Sequence, residues 1–192
     1  GGKADNNVAG ADGGGIYVSS AGDDVSADIL SGSVSGNKSF AHGGAIAVVG
    51  RNEGSETISV MIGVNEDHTT IPFEHNYKDV VYNHTSCPGI KNNTASSKGG
   101  AVFLSGGTQT NLDIYCVYEN ENTANDGETE HNFIMMEGGN CNISSSQKDS
   151  SGNIIAETSG YGNVHIAGTA YVVGGNMGIG GGMSNPTTKE YF

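Results

Sequence analysis

Side chains that bind metal ions cluster in one segment of this sequence: Asp67, His68, Glu74, His75, His84 and Cys87. Imidazole, carboxylate and thiolate groups are the ligands that zinc uses in proteins. The spacing contains neither a His-Glu-x-x-His nor a paired Cys-x-x-Cys motif, the patterns that place several ligands around one ion. The segment therefore predicts surface histidines and no metal site.

A second group of residues that could carry out chemistry is an acidic run: Glu119, Glu121, Asp126, Glu128 and Glu130. Carboxylate oxygens bind calcium, but the run lacks the nine-residue glycine and aspartate repeats of calcium-binding β-rolls. We expect a solvated turn here, with calcium as the alternative and no other cofactor.

The elements that must position these residues repeat along the chain. Asn7, Asn37 and Asn93 are each followed two residues later by Ala or Ser, then by a Gly-Gly pair and a short apolar run. The glycine pairs are Gly13 and Gly14, Gly43 and Gly44, and Gly99 and Gly100. Such a pair before a β-branched run indicates a turn, with φ > 0 or crowded backbone, that leads into a strand.

Repeats with so little structure cannot each bury an apolar face, so they must stack around a continuous core. The strands predicted to be equivalent begin at Ile16, Ile46, Val102, Ile134 and Val164. An asparagine at the same corner of each coil can adopt the αL conformation and bond neighbouring backbone, and the small residue beside it allows close packing. The predicted fold class is all-β, a parallel β-helix of about five coils.

One interval between glycine pairs is long, since Gly13 to Gly43 spans 30 residues whereas Gly43 to Gly99 spans 56. Either a coil has lost its glycine pair, or a normal coil carries a loop. We favour a loop insertion at 63–86, because the regular pattern resumes at Cys87 and insertions into repeats project from one face. The chain, 1–192, is then a single β-helix domain.

Both ends of the sequence suggest a piece of a longer protein. The chain begins without Met or a signal-peptide pattern, and no amphipathic helix or polar cap follows the last coil, although solenoids need caps. We therefore expect the parent chain to continue.

The charge balance limits the partners. Eight Lys and Arg against 21 Asp and Glu give a net charge of −13, which disfavours phosphate backbones and anionic lipids. No apolar run is long enough to cross a bilayer. We expect no nucleic-acid partner and no membrane insertion by this segment.

The Gly-Gly-Ala-Ile and Gly-Gly-Ala-Val pieces that follow an asparagine corner resemble the repeats of bacterial polymorphic outer-membrane proteins and autotransporter-like β-helix proteins. The resemblance spans most of the chain and is sharpest in the first three copies. It implies a right-handed parallel β-helix on an extracellular or cell-surface protein, commonly an adhesin. The expected partners are glycans or cell-surface proteins, and self-association along the solenoid is a further expectation.

Parallel β-helices also carry polysaccharide lyases and glycoside hydrolases, so an enzyme fragment is the alternative function. A lyase needs a basic residue beside calcium-binding carboxylates, but the sole arginine, Arg51, lies in a polar turn segment. A hydrolase needs two carboxyl groups that act as acid and base, and the adjacent Asp23 and Asp24 point apart or into solvent. We predict a structural and adhesive segment that is not an enzyme.

The repeat register pairs two of the cysteines. Cys87 and Cys116 each lie six residues before a corner asparagine, Asn93 and Asn122. Equivalent residues of adjacent parallel strands lie ~4.8 Å apart, which a disulfide accepts. This pair is the candidate disulfide, with two stacked thiols as the alternative. Cys141 is out of register, so we expect a free thiol or a small apolar filler.

Overall fold

The structure is a computed structural model that describes residues 2–51, 54–63, 74–77, 80–83, 88–114, 117–125, 132–143, 147–148, 154–155, 164–165, 170–179, 182–184 and 189–191. Every regular element in these ranges is a β-strand. A helix with the length and apolarity needed to span a membrane is absent from them.

The strands, in chain order, are β1 (Gly2–Lys3), β2 (Val8–Ala9), β3 (Ile16–Ser19), β4 (Val25–Ile29), β5 (Gly32–Ser35), β6 (Lys38–Ser39), β7 (Ile46–Val49), β8 (Ile58–Ile62), β9 (Glu74–Tyr77), β10 (Val80–Asn83), β11 (Gly89–Lys91), β12 (Thr94–Ala95), β13 (Val102–Ile114), β14 (Val117–Asn120), β15 (Thr123–Ala124), β16 (Ile134–Ile143), β17 (Gln147–Lys148), β18 (Ile154–Ile155), β19 (Val164–His165), β20 (Ala170–Ile179), β21 (Gly182–Ser184) and β22 (Lys189–Tyr191). We call residues 2–29 repeat 1, 32–62 repeat 2, 89–114 repeat 3, 117–143 repeat 4 and 164–179 repeat 5.

Equivalent strands of successive repeats pair in parallel. One sheet has five strands in the order β1, β5, β11, β14, β19, and another has four strands in the order β2, β6, β12, β15. The largest sheet has nine strands: β3, β7, β13, β16, β20 and β21 follow one another along its path, β4 and β8 pair beside them, and β22 pairs with β20. The prediction of an all-β fold with parallel strands is confirmed.

The register of the largest sheet matches most of the predicted strand starts. Ile16 pairs with Ile46, Ile46 with Val102, and Val102 with Ile134. Glycine pairs precede the strands at Ile16, Ile46 and Val102, and an apolar run marks the strand at Ile134, so the local pattern was sufficient to align them.

The predicted fifth strand start, Val164, is wrong. Ile134 pairs with Ala170, whereas Val164 pairs with Val117 in the five-stranded sheet. No glycine pair precedes β20 in repeat 5. In repeats 2 and 3 a short strand with a β-branched residue, β5 or β11, lies before the glycine pair, and another, β7 or β13, lies after it. The apolar pattern alone does not distinguish the two sheets.

Alternate side chains of the paired strands enter one core. Ile46, Val102 and Leu104 of the largest sheet are fully buried. Val34 and Ile90 of the five-stranded sheet pack in the same cluster. Side chains from two different sheets therefore meet in one apolar interior that runs through the repeats.

The segment predicted as an insertion, 63–86, contains two described strands that pair only with each other. β9 and β10 are antiparallel, while the parallel ladders pass directly from β5 to β11 and from β6 to β12. The described strands of this segment thus add nothing to the parallel sheets. Its assignment as a side loop stays a prediction.

Two short strands that the sequence analysis did not predict pair with the last long strand of the largest sheet. β21 and β22 both pair antiparallel with β20, on the edge that lies away from β16. These two short strands are neither the amphipathic helix nor the polar cap considered above, so the expectation that the parent chain continues stays a prediction.

The two glycines of each pair differ in conformation. The first has a left-handed φ, which is 69° at Gly13, 66° at Gly43 and 69° at Gly99. The second is packed against the next repeat: a Cβ on Gly44 would meet the carbonyl oxygen of Gly100, and one on Gly14 would meet that of Gly44. On Gly100 a Cβ would lie 2.6 Å from the carbonyl oxygen of Asn132. The first glycine of each pair has both predicted properties, since a Cβ on Gly43 would also meet the carbonyl oxygen of Ile46, whereas the second has crowded backbone without a left-handed φ.

We predict that Gly44→Val destabilises the protein by about 2–4 kcal/mol, because a side chain at Gly44 overlaps backbone of repeat 3. Thermal unfolding followed by circular dichroism measures the change. Gly10→Val is the matched control, since a Cβ at Gly10 meets nothing within 4 Å. Equal melting temperatures for the two variants would contradict the packing described here.

Candidate functional site

The corner asparagines form one hydrogen-bonded row, which we call the asparagine ladder: Asn7, Asn37, Asn93 and Asn122. The Oδ1 of Asn37 accepts hydrogen bonds from the main-chain N–H and Nδ2 of Asn7, at 2.9 and 3.0 Å. Asn93 accepts the same two bonds from Asn37 at 2.9 and 3.0 Å. Asn122 accepts them from Asn93 at 3.0 and 2.7 Å. Asn7, Asn37 and Asn93 therefore each donate two hydrogen bonds to the ladder asparagine of the repeat that follows.

The remaining Nδ2 proton of each carboxamide bonds a carbonyl of the preceding repeat. The acceptors are the carbonyl oxygens of Ala4, Val34 and Ile90, at 2.7, 2.9 and 2.9 Å from Asn37, Asn93 and Asn122 respectively. Each of these carbonyls lies three residues before the preceding ladder asparagine. Asn93 is fully buried, and its donors and acceptor are all used, which is what a buried carboxamide requires.

The predicted αL conformation falls one residue before the ladder asparagines. The left-handed residues are Asn6 (φ 59°), Gly36 (φ 66°), Asn92 (φ 56°) and Glu121 (φ 56°). The corner thus divides its tasks between neighbours: the first residue turns the chain, and the asparagine after it bonds the adjacent repeats. Only this asparagine needs a buried carboxamide.

Glu119 ends the ladder and corrects one prediction. It belongs to the acidic run expected to form a solvated turn, but its side chain is fully buried. Its Oε1 accepts a hydrogen bond from Asn122 Nδ2 at 2.5 Å, in the place that the next ladder asparagine takes in earlier repeats. Within the described ranges, no group of three His, Cys, Asp or Glu side chains is arranged to hold a metal ion. Asp126, Glu128 and Glu130 lie outside these ranges.

A second row of asparagines was missed by the sequence analysis. Asn140 Nδ2 donates to Asn111 Oδ1 at 2.9 Å, and Asn176 Nδ2 donates to Asn140 Oδ1 at 3.0 Å. These three residues pair across β13, β16 and β20 and are half-buried. Each precedes a buried apolar residue, but their spacing of 29 and 36 residues hides the repeat.

Polar and aromatic side chains gather where the glycine turns enter the largest sheet. Asp12 Oδ1 accepts a hydrogen bond from the main-chain N–H of His42 at 2.9 Å, and it lies 2.8 Å from His42 Nδ1. The His42 ring stacks on Phe103 with ring centroids 4.4 Å apart. Lys98, at the equivalent position of repeat 3, forms an ion pair with Glu137.

Tyr17 adds an open aromatic ring to this surface. It pairs with Ala47, which pairs with Phe103, so the three side chains lie on one face of the sheet. Tyr17 is 52% exposed. We call Asp12, Tyr17, His42, Lys98 and Phe103 the turn face.

The residues considered for catalysis act as turn contacts. Asp24 Oδ1 accepts a hydrogen bond from the Thr57 N–H at 2.7 Å, and the Asp23 carbonyl accepts one from Ser20 Oγ at 2.6 Å. Arg51 is exposed and reaches the Ala21 carbonyl at 3.5 Å. The structure brings none of these side chains to a shared site. The histidine-rich candidates of residues 67–87 have side chains outside the described part.

Cys87 and Cys116, the candidate disulfide, lie outside the described residues. The strands that follow them pair Gly89 with Tyr118, which is the two-residue offset that the predicted pairing assumes. The disulfide stays a prediction. Cys141 is a free and fully buried thiol in the apolar core.

Burial perturbs two titratable groups in repeats 3 and 4. Desolvation raises the pKa of the Asp113 carboxyl, and a hydrogen bond with Asn142 opposes this with a smaller effect. Desolvation also raises the pKa of the Cys141 thiol, and the nearby charge of Asp113 adds to the increase. Cys141 is therefore protonated at neutral pH and is a poor nucleophile.

Comparison of the chain with known protein families, curated proteins and solved structures found no match. The contacts of the two asparagine rows and of the turn face are therefore the basis for a functional proposal.

We predict that Asn93→Ala destabilises the protein by about 3–5 kcal/mol, because it leaves the buried main-chain N–H and Nδ2 of Asn37 without their acceptor and removes the side-chain bonds to Val34 and Asn122. Asn111→Ala, in the half-buried row, should cost about 1 kcal/mol or less. Urea unfolding of both variants gives the comparison. Similar losses in the two variants would show that the ladder has no special role in stability.

Asp113→Asn should stabilise the protein at pH 7. A folded-state pKa above the unfolded value means that the folded form binds more protons between the two values, so stability falls as pH rises through this window. The variant removes this loss, and its advantage should vanish below the ordinary pKa of 3.8. Melting temperatures between pH 3 and 8 measure the effect. Asp23→Asn, which removes the same charge from an exposed site, is the control. An advantage that does not change with pH would contradict the prediction.

Proposed function

We propose that this chain is a segment of right-handed parallel β-helix, of about five coils with a side insertion at 63–86, and that it serves as a structural and adhesive module. Successive coils rise by the strand spacing of ~4.8 Å, so the segment would be roughly 25 Å long. The observation that carries the proposal is the shared core: side chains from the five-stranded and nine-stranded sheets pack in one cluster while the repeats pair in parallel.

The asparagine ladder supports a rigid structural role. A row of carboxamides bonded from repeat to repeat, at 2.7 to 3.0 Å, resists both slippage and separation of the coils. Rigid scaffolds lose little conformational entropy when they bind, which favours presentation of a binding surface. The extracellular location and the adhesive role rest on the resemblance to polymorphic outer-membrane and autotransporter-like repeats.

The turn face carries groups that suit a glycan. Sugar rings stack their C–H faces on exposed aromatic side chains and exchange hydrogen bonds with polar groups that lie beside the ring. Tyr17 supplies such a ring, and the bonded pair of Asp12 and His42 lies in the adjacent turn. A polar protein loop would be bound by the same groups, so the chemical class of partner is a hydroxyl-rich or polar ligand.

The binding function is tested with the purified chain on a glycan array and on cell surfaces. Tyr17→Ala should weaken binding by about fivefold to thirtyfold, because a stacked aromatic ring contributes roughly 1–2 kcal/mol. Val173→Ala removes a side chain that is 45% exposed in repeat 5 and is the matched control. Both variants should melt like the wild type.

A chain without residues 63–86 locates the binding site. If the deleted chain stays folded and only its binding is lost, the partner contacts the insertion and not the turn face. The enzyme alternative predicts instead that incubation with acidic or neutral polysaccharides releases unsaturated or reducing ends. Release of such products by the wild-type chain would overturn the proposal of a non-catalytic module.

A further inference from the structure

Charge is distributed unevenly among the repeats. The chain has a net charge of −13, yet residues 32–50 of repeat 2 and 89–112 of repeat 3 contain neither Asp nor Glu. The same two ranges contain Lys38, His42, Lys91 and Lys98. An anionic partner of this acidic protein meets the least repulsion on the surface that these two ranges form.

Outward side chains of the four-stranded sheet and the residues just after it form a surface that we call the corner face: Lys38, Phe40, Thr94, Ser96 and Thr123. Lys38, Thr94 and Thr123 occupy one row across β6, β12 and β15. Phe40 and Ser96 each lie two residues further along the chain. The residues between them and that row are fully buried, so strand alternation directs all five side chains outward.

Phe40 is open to solvent on this face, with 57% of its surface exposed. Repeat 2 has a neighbouring repeat on each side, so this exposure does not depend on where the stack begins or ends. The equivalent residues of repeats 1 and 3 are Gly10 and Ser96, which are small, and a Cβ on Gly10 would meet nothing within 4 Å. The flanks of the ring are therefore open to the apolar face of a ligand.

Lys38 places a positive charge beside this ring. Its Nζ lies 4.9 Å from the centroid of the Phe40 ring. Within the ranges that the structure describes, the Lys38 ammonium forms no ion pair, whereas Lys98 is paired with Glu137. Lys38 can therefore pair with the anionic group of a ligand without giving up a carboxylate of its own chain.

The acidic side chains at the borders of the corner face do not cancel this charge. Asp5 accepts hydrogen bonds from repeat 2 at 2.7 to 2.9 Å, and Asp12 is bonded to His42. Glu121 is exposed but belongs to repeat 4, two strand spacings or about 9–10 Å from the row of Lys38.

We propose that the corner face binds an acidic glycan, that is, a saccharide with a carboxylate on its ring. The sugar ring stacks on Phe40, and its carboxylate pairs with Lys38. Its hydroxyls exchange hydrogen bonds with Thr94 and Thr123, whose Oγ1 atoms are exposed and lie 3.3 Å apart. The inference rests on the proposed function for the presence of a glycan, and it adds a second surface and a charge class.

Other anionic partners fit this surface less well. Nucleic acids and anionic membranes carry a charge on every nucleotide or headgroup, so they would also meet the carboxylates outside repeats 2 and 3. An acidic peptide has the charge for Lys38 but no sugar ring for Phe40. A saccharide with one carboxylate on a ring matches one cation beside one aromatic side chain.

The test measures binding of the full chain by calorimetry at low ionic strength. The probes are galacturonate, hyaluronan and sialylated oligosaccharides, each beside its carboxyl-reduced form, and poly-glutamate is a polyanion without a sugar ring. At least one acidic oligosaccharide should bind about threefold to fivefold more tightly than its reduced form, the size expected for one exposed ion pair. Added salt should remove the difference.

Variants assign this preference to the corner face. Lys38→Gln should give the acidic and reduced forms equal affinity, while Lys38→Arg should keep the preference. Arg51→Gln removes the same charge from an exposed turn outside the corner face and is the matched control. Phe40→Ala should weaken both forms by about fivefold or more. All four variants change exposed side chains and should melt like the wild type.

The outcomes separate this inference from the proposed function. If reduced and acidic forms bind equally, or if Lys38→Gln keeps the preference, the chain still binds glycans and the inference is overturned. Equal binding of poly-glutamate would overturn it as well, because the surface would then attract polyanions in general. Absence of binding to every saccharide and to cell surfaces would overturn both the inference and the adhesive function.

Discussion

The fold depends on a constraint that a buried carboxamide imposes. Asn93 is fully buried, so leaving any of its polar groups without a partner would cost roughly 1–3 kcal/mol. Its polar groups find partners only if asparagines occupy the equivalent positions of the preceding and following repeats. The preceding repeat must also place a carbonyl, that of Val34, three residues before its own asparagine. A shift by one residue would remove all of these bonds at once. Aspartate lacks the donors, and glutamine is too long to keep the spacing.

This constraint explains how repeats of unequal length stay in register. The ladder asparagines Asn7, Asn37, Asn93 and Asn122 follow one another at 30, 56 and 29 residues. A stack held only by apolar contacts would tolerate shifts after a long interval, since β-branched side chains are similar in shape. The carboxamides tolerate none, so Asn37 and Asn93 meet in register although 56 residues separate them in the sequence. Repeats of different length can therefore keep the same register in the core.

The sequence predicted those features that are determined locally. Glycine pairs and corner asparagines identify the first three repeats because turn geometry and buried amides restrict the residue type. Val164 was misassigned because a short β-branched run fits the five-stranded sheet and the nine-stranded sheet equally well. The left-handed position escaped notice because Asn6, Gly36, Asn92 and Glu121 share a conformation but not a residue type. Burial of Glu119 follows from its bond with Asn122, a contact that composition cannot show.

The ladder also gives the stack a direction. Asn37 and Asn93 each donate the main-chain N–H and one Nδ2 proton to the ladder asparagine of the following repeat, and the other Nδ2 proton to a carbonyl of the preceding repeat. At the far end Glu119 supplies the acceptor that Asn122 needs, and a carboxyl group suits this place because it accepts without requiring a further donor beyond it. Hydrogen-bond polarity therefore lets a single acceptor, Glu119, complete the row after Asn122.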